Sequence, residues 1–301
     1  MKPLNEYDWV DWRRLRPITH RLKTLRYDAI SFNYVRRAAR AGEKQLQDRI
    51  RRGRVLITLA FDDPDAIAMQ AQLIGHFVPH AQHLIADTSM NNDAAIEIAA
   101  IAAGRGVPYI RLPENPWDRR GRAASRAHGL ALNWIWRNLL LPGQPEMFGL
   151  LDDDIFPTAP DDPFSVLERQ PIYGYCRQIG ARWFLGVNFS FYRFDYVRHL
   201  PLDFSQDWFN GLDTGGANWD VLFFRLDRRQ MEFMPTRFEP YRTGADPVEA
   251  SIQWCGVWLH ELGQTQRGNF PDVAADKRRV VKEMLAPHLA ACTAARQLAS
   301  D

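Results

Sequence analysis

Hydrophobic and polar positions alternate along residues 54–157 in a repeating pattern. Residues 55–60 (VLITLA) form a short apolar run rich in β-branched side chains, the pattern of a buried strand. Asp62-Asp63-Pro64 follows, an acidic N-cap with proline at the first helical position. Behind it Ile67, Ala71, Ile74 and Val78 recur at helical spacing, predicting an amphipathic helix that ends near Pro79. The pattern then returns. Residues 83–86 predict a second strand, and Asn91 or Asn92 caps a second helix. Its buried stripe is expected at Ile96, Ala99 and Ala103, before Gly104 and Gly106 end it. A third strand is expected at 107–112 (VPYIRL), and a third helix over 123–140 turns Ala127, Ala131, Ile135 and Leu139 inward. A fourth strand, 147–151, runs straight into Asp152-Asp153-Asp154.

Strands alternating with helices through short connections indicate an α/β fold with a mostly parallel central sheet flanked by helices. Such sheets bind ligands beyond the carboxyl ends of their strands. Acidic clusters fall at those ends: Asp62 and Asp63 after the first strand, Asp87 after the second, and Asp152–Asp154 after the fourth. After Pro163 the pattern shifts to shorter aromatic-rich segments, and 172–175, 184–192 and 232–235 read as strands with long connections. No internal repeat is visible.

Composition narrows this picture. The 301 residues are 46% hydrophobic and 25% charged, ordinary values that exclude general disorder and collagen-like sequence. No apolar run approaches the ~18 residues of a membrane span. The acidic, aromatic start MKPLNEYDWV is unlike a signal peptide. Cys176, Cys255 and Cys292 match neither a disulfide framework nor a CxxC metal pair, so a soluble, cytoplasmic protein is expected. The net charge of +2 hides a split, because residues 1–54 hold 15 Lys/Arg against 6 Asp/Glu. Such a segment suits anionic lipid, nucleic acid or an acidic partner. It is expected to be a basic helical extension packed on the main domain, because Trp9, Trp12, Leu15, Ile18, Leu22, Leu25 and Tyr27 interleave its charges. Peripheral membrane contact is the remaining role for its charge, and nucleic acid is not expected as a partner.

Carboxylates crowded on the tip of a buried strand repel one another unless a cation neutralises them. Hard divalent ions accept carboxylate and phosphate oxygens together. On an extended strand Asp152 and Asp154 share one side and Asp153 faces the other, so the pair suits one ion bridging to a diphosphate. The apolar MFGLL before the triplet and Ile155-Phe156-Pro157 after it bury its flanks.

The order of VLITLAFDDPDAI, LIADTSMNNDAAIEIA and MFGLLDDDIFPT resembles that of glycosyltransferases with the GT-A nucleotide-sugar-binding fold, especially family-2-like members. The segment RRGRAASRAHGLALNWIW resembles the basic, small-residue helix entry before their DxD strand. The likeness spans about residues 54–270, and the run ADTSMNN departs from it where many relatives have glycine or a further acid. With the basic extension at 1–53 before it and a C-terminal helix expected at 276–301 after it, the likeness implies a nucleotide-sugar-binding half at 54–163 and an acceptor-binding half at 164–275.

By the same resemblance Asp87 contacts the base or ribose, Asp152 lies near the ribose or sugar, and Asp62 and Asp153 join the nucleotide-sugar set. Asp154, with Asp152, holds Mn²⁺ or Mg²⁺ on the diphosphate. Arg119, Arg120 or Arg122 adds positive charge there, with Arg119 and Arg122 preferred. WLHELG resembles the late histidine of many GT-A enzymes, making His260 a metal ligand and favouring Mn²⁺. An inverting transfer needs a carboxylate base, and Asp213, set among glycines in FNGLDTGG, is the best match, with Asp207 and Asp220 as rivals. His128 and Asn133 are expected to pack or to support the site. Trp183, Trp208, Trp219, Trp254 and Trp258 lie on the acceptor side, where most are expected in the core. The implied partners are a nucleotide-sugar donor and a carbohydrate, lipid-linked or other hydroxyl acceptor. Two alternatives stand beside this reading: a catalytically degenerate nucleotide-sugar-binding module, and a different metal-dependent phosphohydrolase or nuclease.

Overall fold

A computed structural model of the chain describes residues 4–39, 42–117, 124–242, 250–262 and 271–298. Three helices come first: α1 (Trp9–Arg13), α2 (Arg16–Tyr34) and α3 (Glu43–Ile50). The α/β alternation follows as β1 (Arg54–Ala60), α4 (Pro64–Phe77), β2 (Gln82–Asp87), α5 (Asn92–Arg105), β3 (Tyr109–Arg111), α6 (Ala124–Ile135), the short α7 (Leu141–Gly143) and β4 (Met147–Asp152). The chain continues through β5 (Ile155–Pro157), β6 (Ile172–Ile179), β7 (Arg182–Arg193), α8 (Phe194–Val197), β8 (Thr236–Pro240), β9 (Ser251–Cys255), β10 (Trp258–His260) and α9 (Pro271–Leu298).

The first of two sheets has the order β3-β2-β1-β4-β7-β6. Its first four strands are parallel, while β7 pairs antiparallel with both β4 and β6, so the sheet is mixed. Alternate residues of β1 face opposite layers. Val55, Ile57 and Leu59 belong to the same core cluster as Ala127, Leu130, Ala131 and Ile135 of α6, while Leu56 belongs to a second cluster with Ala66, Met69 and Leu73 of α4. Gly149 in β4 is a packing requirement: a Cβ there would stand 2.5 Å from the Phe191 ring.

The helix starts follow local chemistry. Asp63 caps α4 by accepting from the Ala66 N–H at 3.1 Å, with Pro64 in the first turn, and Asn91 caps α5. In α5 the expected stripe is wrong. Ile96 is 68% exposed and Ala103 is exposed, while Ala94, Ala95, Ile98 and Ala102 are buried. Residues 94–103 are alanine or isoleucine except Glu97, so periodicity does not select a face; close packing against Ile67 and Ile85 does. The helix expected over 123–140 is described from Ala124 and widens into a π turn over Trp136–Leu140.

The second sheet is antiparallel, in the order β5-β10-β9-β8. The strand expected at 232–235 lies instead at β8. Residues 234 and 235 are tied elsewhere, with the Met234 N–H donating to the Gly174 carbonyl and the Pro235 carbonyl accepting from Gly256. The N-terminal segment is helical and packs on the main domain, but mostly through other residues than expected: Tyr27 is half-buried against the core and Pro17, Tyr34 and Val35 are buried, whereas Trp9, Trp12, Leu15, Ile18, Leu22 and Leu25 are exposed. Among the described residues no helix is long and apolar enough to cross a membrane.

Candidate metal centre at the junction of two sheets

Asp152 is the last residue of β4 in the large sheet, and Ile155 is the first of β5 in the small one. Asp153 and Asp154 are therefore the turn between sheets. β10 pairs antiparallel with β5, setting His260 opposite Ile155, and the Glu261 N–H donates to the Asp154 carbonyl at 2.9 Å. This register carries a histidine from far along the chain onto the turn. One ligand atom each from Asp152, Asp154 and His260 lies within 4.8 Å of the others. His260 Nε2 stands 3.2 Å from Asp154 Oδ1, with both side chains buried. Carboxylate oxygens and an imidazole nitrogen converging without a lysine or arginine among them form a donor set that fits a divalent cation.

The electrostatics match crowded carboxylates. Burial raises the Asp152 pKa above its ordinary value; His128 opposes the rise and Asp154 adds to it. Asp153 is raised further, first by burial and then by Asp154 and Asp63. Burial alone would depress His260, but Asp154 and Asp152 outweigh it and the net shift is upward. His260 Nδ1 lies 2.8 Å from Gln253 Oε1. A proton on Nδ1 donated to that oxygen leaves Nε2 for Asp154 or for a cation. Gln253 is fully buried on β9, and neither it nor its role is legible without the fold.

Asp152 and Asp154 do converge, although through a turn rather than an extended strand. Asp153 points elsewhere and accepts from the Phe61 N–H at 2.9 Å, joining the ends of β4 and β1. Asp62 adopts a left-handed φ of 50° and accepts from the Asn91 N–H at 2.8 Å. Asp87 is fully buried and saturated. It accepts from the Ser89 N–H at 2.7 Å and hydroxyl at 2.6 Å, the Tyr109 hydroxyl at 2.7 Å and Arg111 Nη1 at 2.5 Å. Arg119, Arg120 and Arg122 lie outside the described residues.

Of the two roles expected for His128 on α6, the structure shows the supporting one, with Nε2 3.3 Å from Asp152 Oδ1. Asn133, five residues on in the same helix, holds the loop after α8 by donating to Asp203 at 2.6 Å and accepting from the Phe204 N–H at 2.7 Å. Gly129 lets that loop approach, since a Cβ there would meet the Phe204 carbonyl oxygen at 2.8 Å. Farther along, Asp213 accepts from Arg177 at 2.8 Å, Gln206 at 3.3 Å and the Thr214 N–H at 2.8 Å. Burial raises its pKa, but these donors and the Arg177 charge prevail and hold it near 2. Asp213 is close enough to raise the proton affinity of Asp152. Asp207 is paired with Arg182 at 3.1 Å, and Asp220 is exposed. Of the five tryptophans, Trp183 and Trp258 are buried and Trp208, Trp219 and Trp254 are half-buried.

No family model matches the chain, and no curated protein matches its sequence. Among solved structures, S. aureus TarS is similar over 50% of this chain and 30% of that one, at 11% identity and a TM-score of 0.31. The chain thus matches less than a third of TarS, and a likeness this small carries no argument about activity.

Proposed function

We propose that the chain is a GT-A-type glycosyltransferase that moves a sugar from a nucleotide-diphosphate donor to an acceptor hydroxyl with inversion. The observation that carries this reading is the convergence of Asp152, Asp154 and His260 at the carboxyl edge of parallel strands. These three residues would hold Mn²⁺ ahead of Mg²⁺, and the ion would offset charge on the diphosphate leaving group. The donor would lie along the strand ends, with Asp62 and Asp152 toward ribose and sugar and Arg119 or Arg122 toward phosphate, while Asp87, already saturated, and Asp153, held by the Phe61 N–H, would shape that edge from behind. Residues 54–163 then serve the donor and 164–275 the acceptor, between the basic extension at 1–53 and the terminal helix at 276–301.

Asp213 is the proposed base. Arg177 keeps its carboxylate ionised, and it accepts the acceptor's hydroxyl proton while that oxygen attacks the anomeric carbon. The same ion pair makes Asp213 a weak base, and this one observation favours a second reading, a nucleotide-sugar-binding module without turnover. Calorimetry with UDP, GDP, dTDP and CMP, each with and without Mn²⁺, tests the donor site, and sugar transfer from the matching donor separates the readings. Mn²⁺-dependent binding in the wild type that disappears in Asp154→Asn is the expected result. Equal affinity in both proteins would remove the metal assignment, and binding without transfer would select the module.

A further inference from the structure

The helix α2 has two faces of different fate. One faces the main domain: Tyr27 shares a hydrogen bond of 2.5 Å with Ser205, and the Tyr34 hydroxyl donates to the Pro113 carbonyl at 3.1 Å. The other carries Leu15, at the N-cap, then Ile18, Leu22, Leu25 and Phe32, each between 51% and 62% exposed. At 3.6 residues per turn these five fall within an arc of about 100°, nearly opposite Tyr27 and Tyr34. The short α1 adds Trp9, 72% exposed, and Trp12, with the Arg13 guanidinium 5.6 Å from the Trp9 ring centre.

Charge decides what this surface meets. Residues 13–26 contain Arg13, Arg14, Arg16, Arg21, Lys23 and Arg26 and no acidic side chain. On the helical wheel Arg21 borders one side of the apolar stripe and Arg26 the other. We infer that α1 and α2 form a docking surface for an anionic lipid bilayer, lying in the interface with the stripe toward the acyl chains and the arginines at the headgroups. The exposed tryptophans suit the same boundary, where aromatic side chains concentrate. The spacing of Leu15, Ile18, Leu22 and Leu25 is also that of a two-helix seam, but pairing with a second copy would set Arg21 and Arg26 of both chains side by side.

Vesicle flotation of the full chain tests this independently of any sugar chemistry. The protein is expected to float with vesicles of phosphatidylcholine and phosphatidylserine, and its tryptophan emission to shift to the blue. It is expected to stay behind with phosphatidylcholine alone. Leu22→Glu/Leu25→Glu, at exposed positions, should reduce flotation at least about tenfold with the unfolding temperature unchanged, and Arg21→Glu/Arg26→Glu should do the same and lose the dependence on salt. Absence of flotation, or equal flotation with both vesicle types, overturns the proposal. So does a dimer in sedimentation equilibrium that Leu22→Glu/Leu25→Glu dissolves while vesicles remain unbound, because the stripe would then belong to a second copy.

Discussion

Asp63, Asp87 and Asp213 each face an arginine, whereas Asp152 and Asp154 face histidines. Arg278 pairs with Asp63 at 2.7 Å and with Glu261 at 2.7 Å, binding α9 to the first acidic turn. Arg111 closes Asp87 and Arg177 closes Asp213 at comparable distances. A guanidinium is permanently charged, so these carboxylates carry their counter-ion with them. An imidazole can give its proton up and offer a lone pair instead. These carboxylates therefore differ in kind: Asp63 and Asp87 are closed by their arginines, Asp213 is kept ionised by its own, and the histidine-flanked pair has partners that can yield a proton where a cation would bind.

The sharpest way to separate the two kinds is Asp213→Asn. Transfer is expected to fall by ~10²–10⁴-fold, with Mn²⁺-dependent nucleotide binding unchanged, because a general base contributes to the barrier and not to the cation site. Full transfer would move the base elsewhere, to Asp207 or Asp220. Next comes Arg111→Ala, which removes the paired cation of the buried Asp87. Urea unfolding should show a loss of about 3–5 kcal/mol, largely recovered when Asp87→Asn is added. A loss that the second substitution does not recover would mean that Arg111 acts through packing alone.

A smaller effect is expected from Gln253→Ala. Without the Gln253 oxygen, His260 Nδ1 is left to Asn188 Nδ2 at 3.3 Å, a donor that favours the proton on Nε2, and Mn²⁺ affinity by calorimetry should drop about 10–100-fold. Unchanged affinity would detach Gln253 from the site. The smallest effect is on pH dependence. Asp152, Asp153 and His260 all hold protons more tightly folded than unfolded. The metal-free protein should therefore gain stability as pH falls through their folded values and lose it as pH rises through them. The His260 share is complete below its unfolded pKa near 6.5, and the carboxylate shares below about 4. Melting temperatures from pH 8 to pH 6 should rise without Mn²⁺ and flatten with it. Identical slopes in both conditions would remove the exchange of proton for cation.

Features fixed by local chemistry were legible in advance. The first four strands and the Asp63 and Asn91 caps follow from apolar runs and polar residues at adjacent positions. The buried face of α5 was not, because a helix of alanine and isoleucine offers no contrast and its neighbours make the choice. The apolar residues interleaved with charge in α2 were visible likewise, but not that solvent covers most of them. The small sheet escaped notice because strands such as Trp258–His260 are shorter than any periodic signal and exist through distant partners. Asp152 and Asp154 were visible as a triplet at a strand end. His260 came from a resemblance, and the contacts of His128 and Gln253 depend on segments far away in the chain.

The turn that joins the two sheets also sets an order in time. A chain still being synthesised presents Asp152 and Asp154 long before residue 260 emerges, and even then His260 reaches them only when β10 has paired with β5 in register. An ion that needs all three side chains meets its site only in the finished molecule. Its binding free energy would thus be delivered to the final joining of the two sheets, and cation uptake by a growing or refolding chain would time that event.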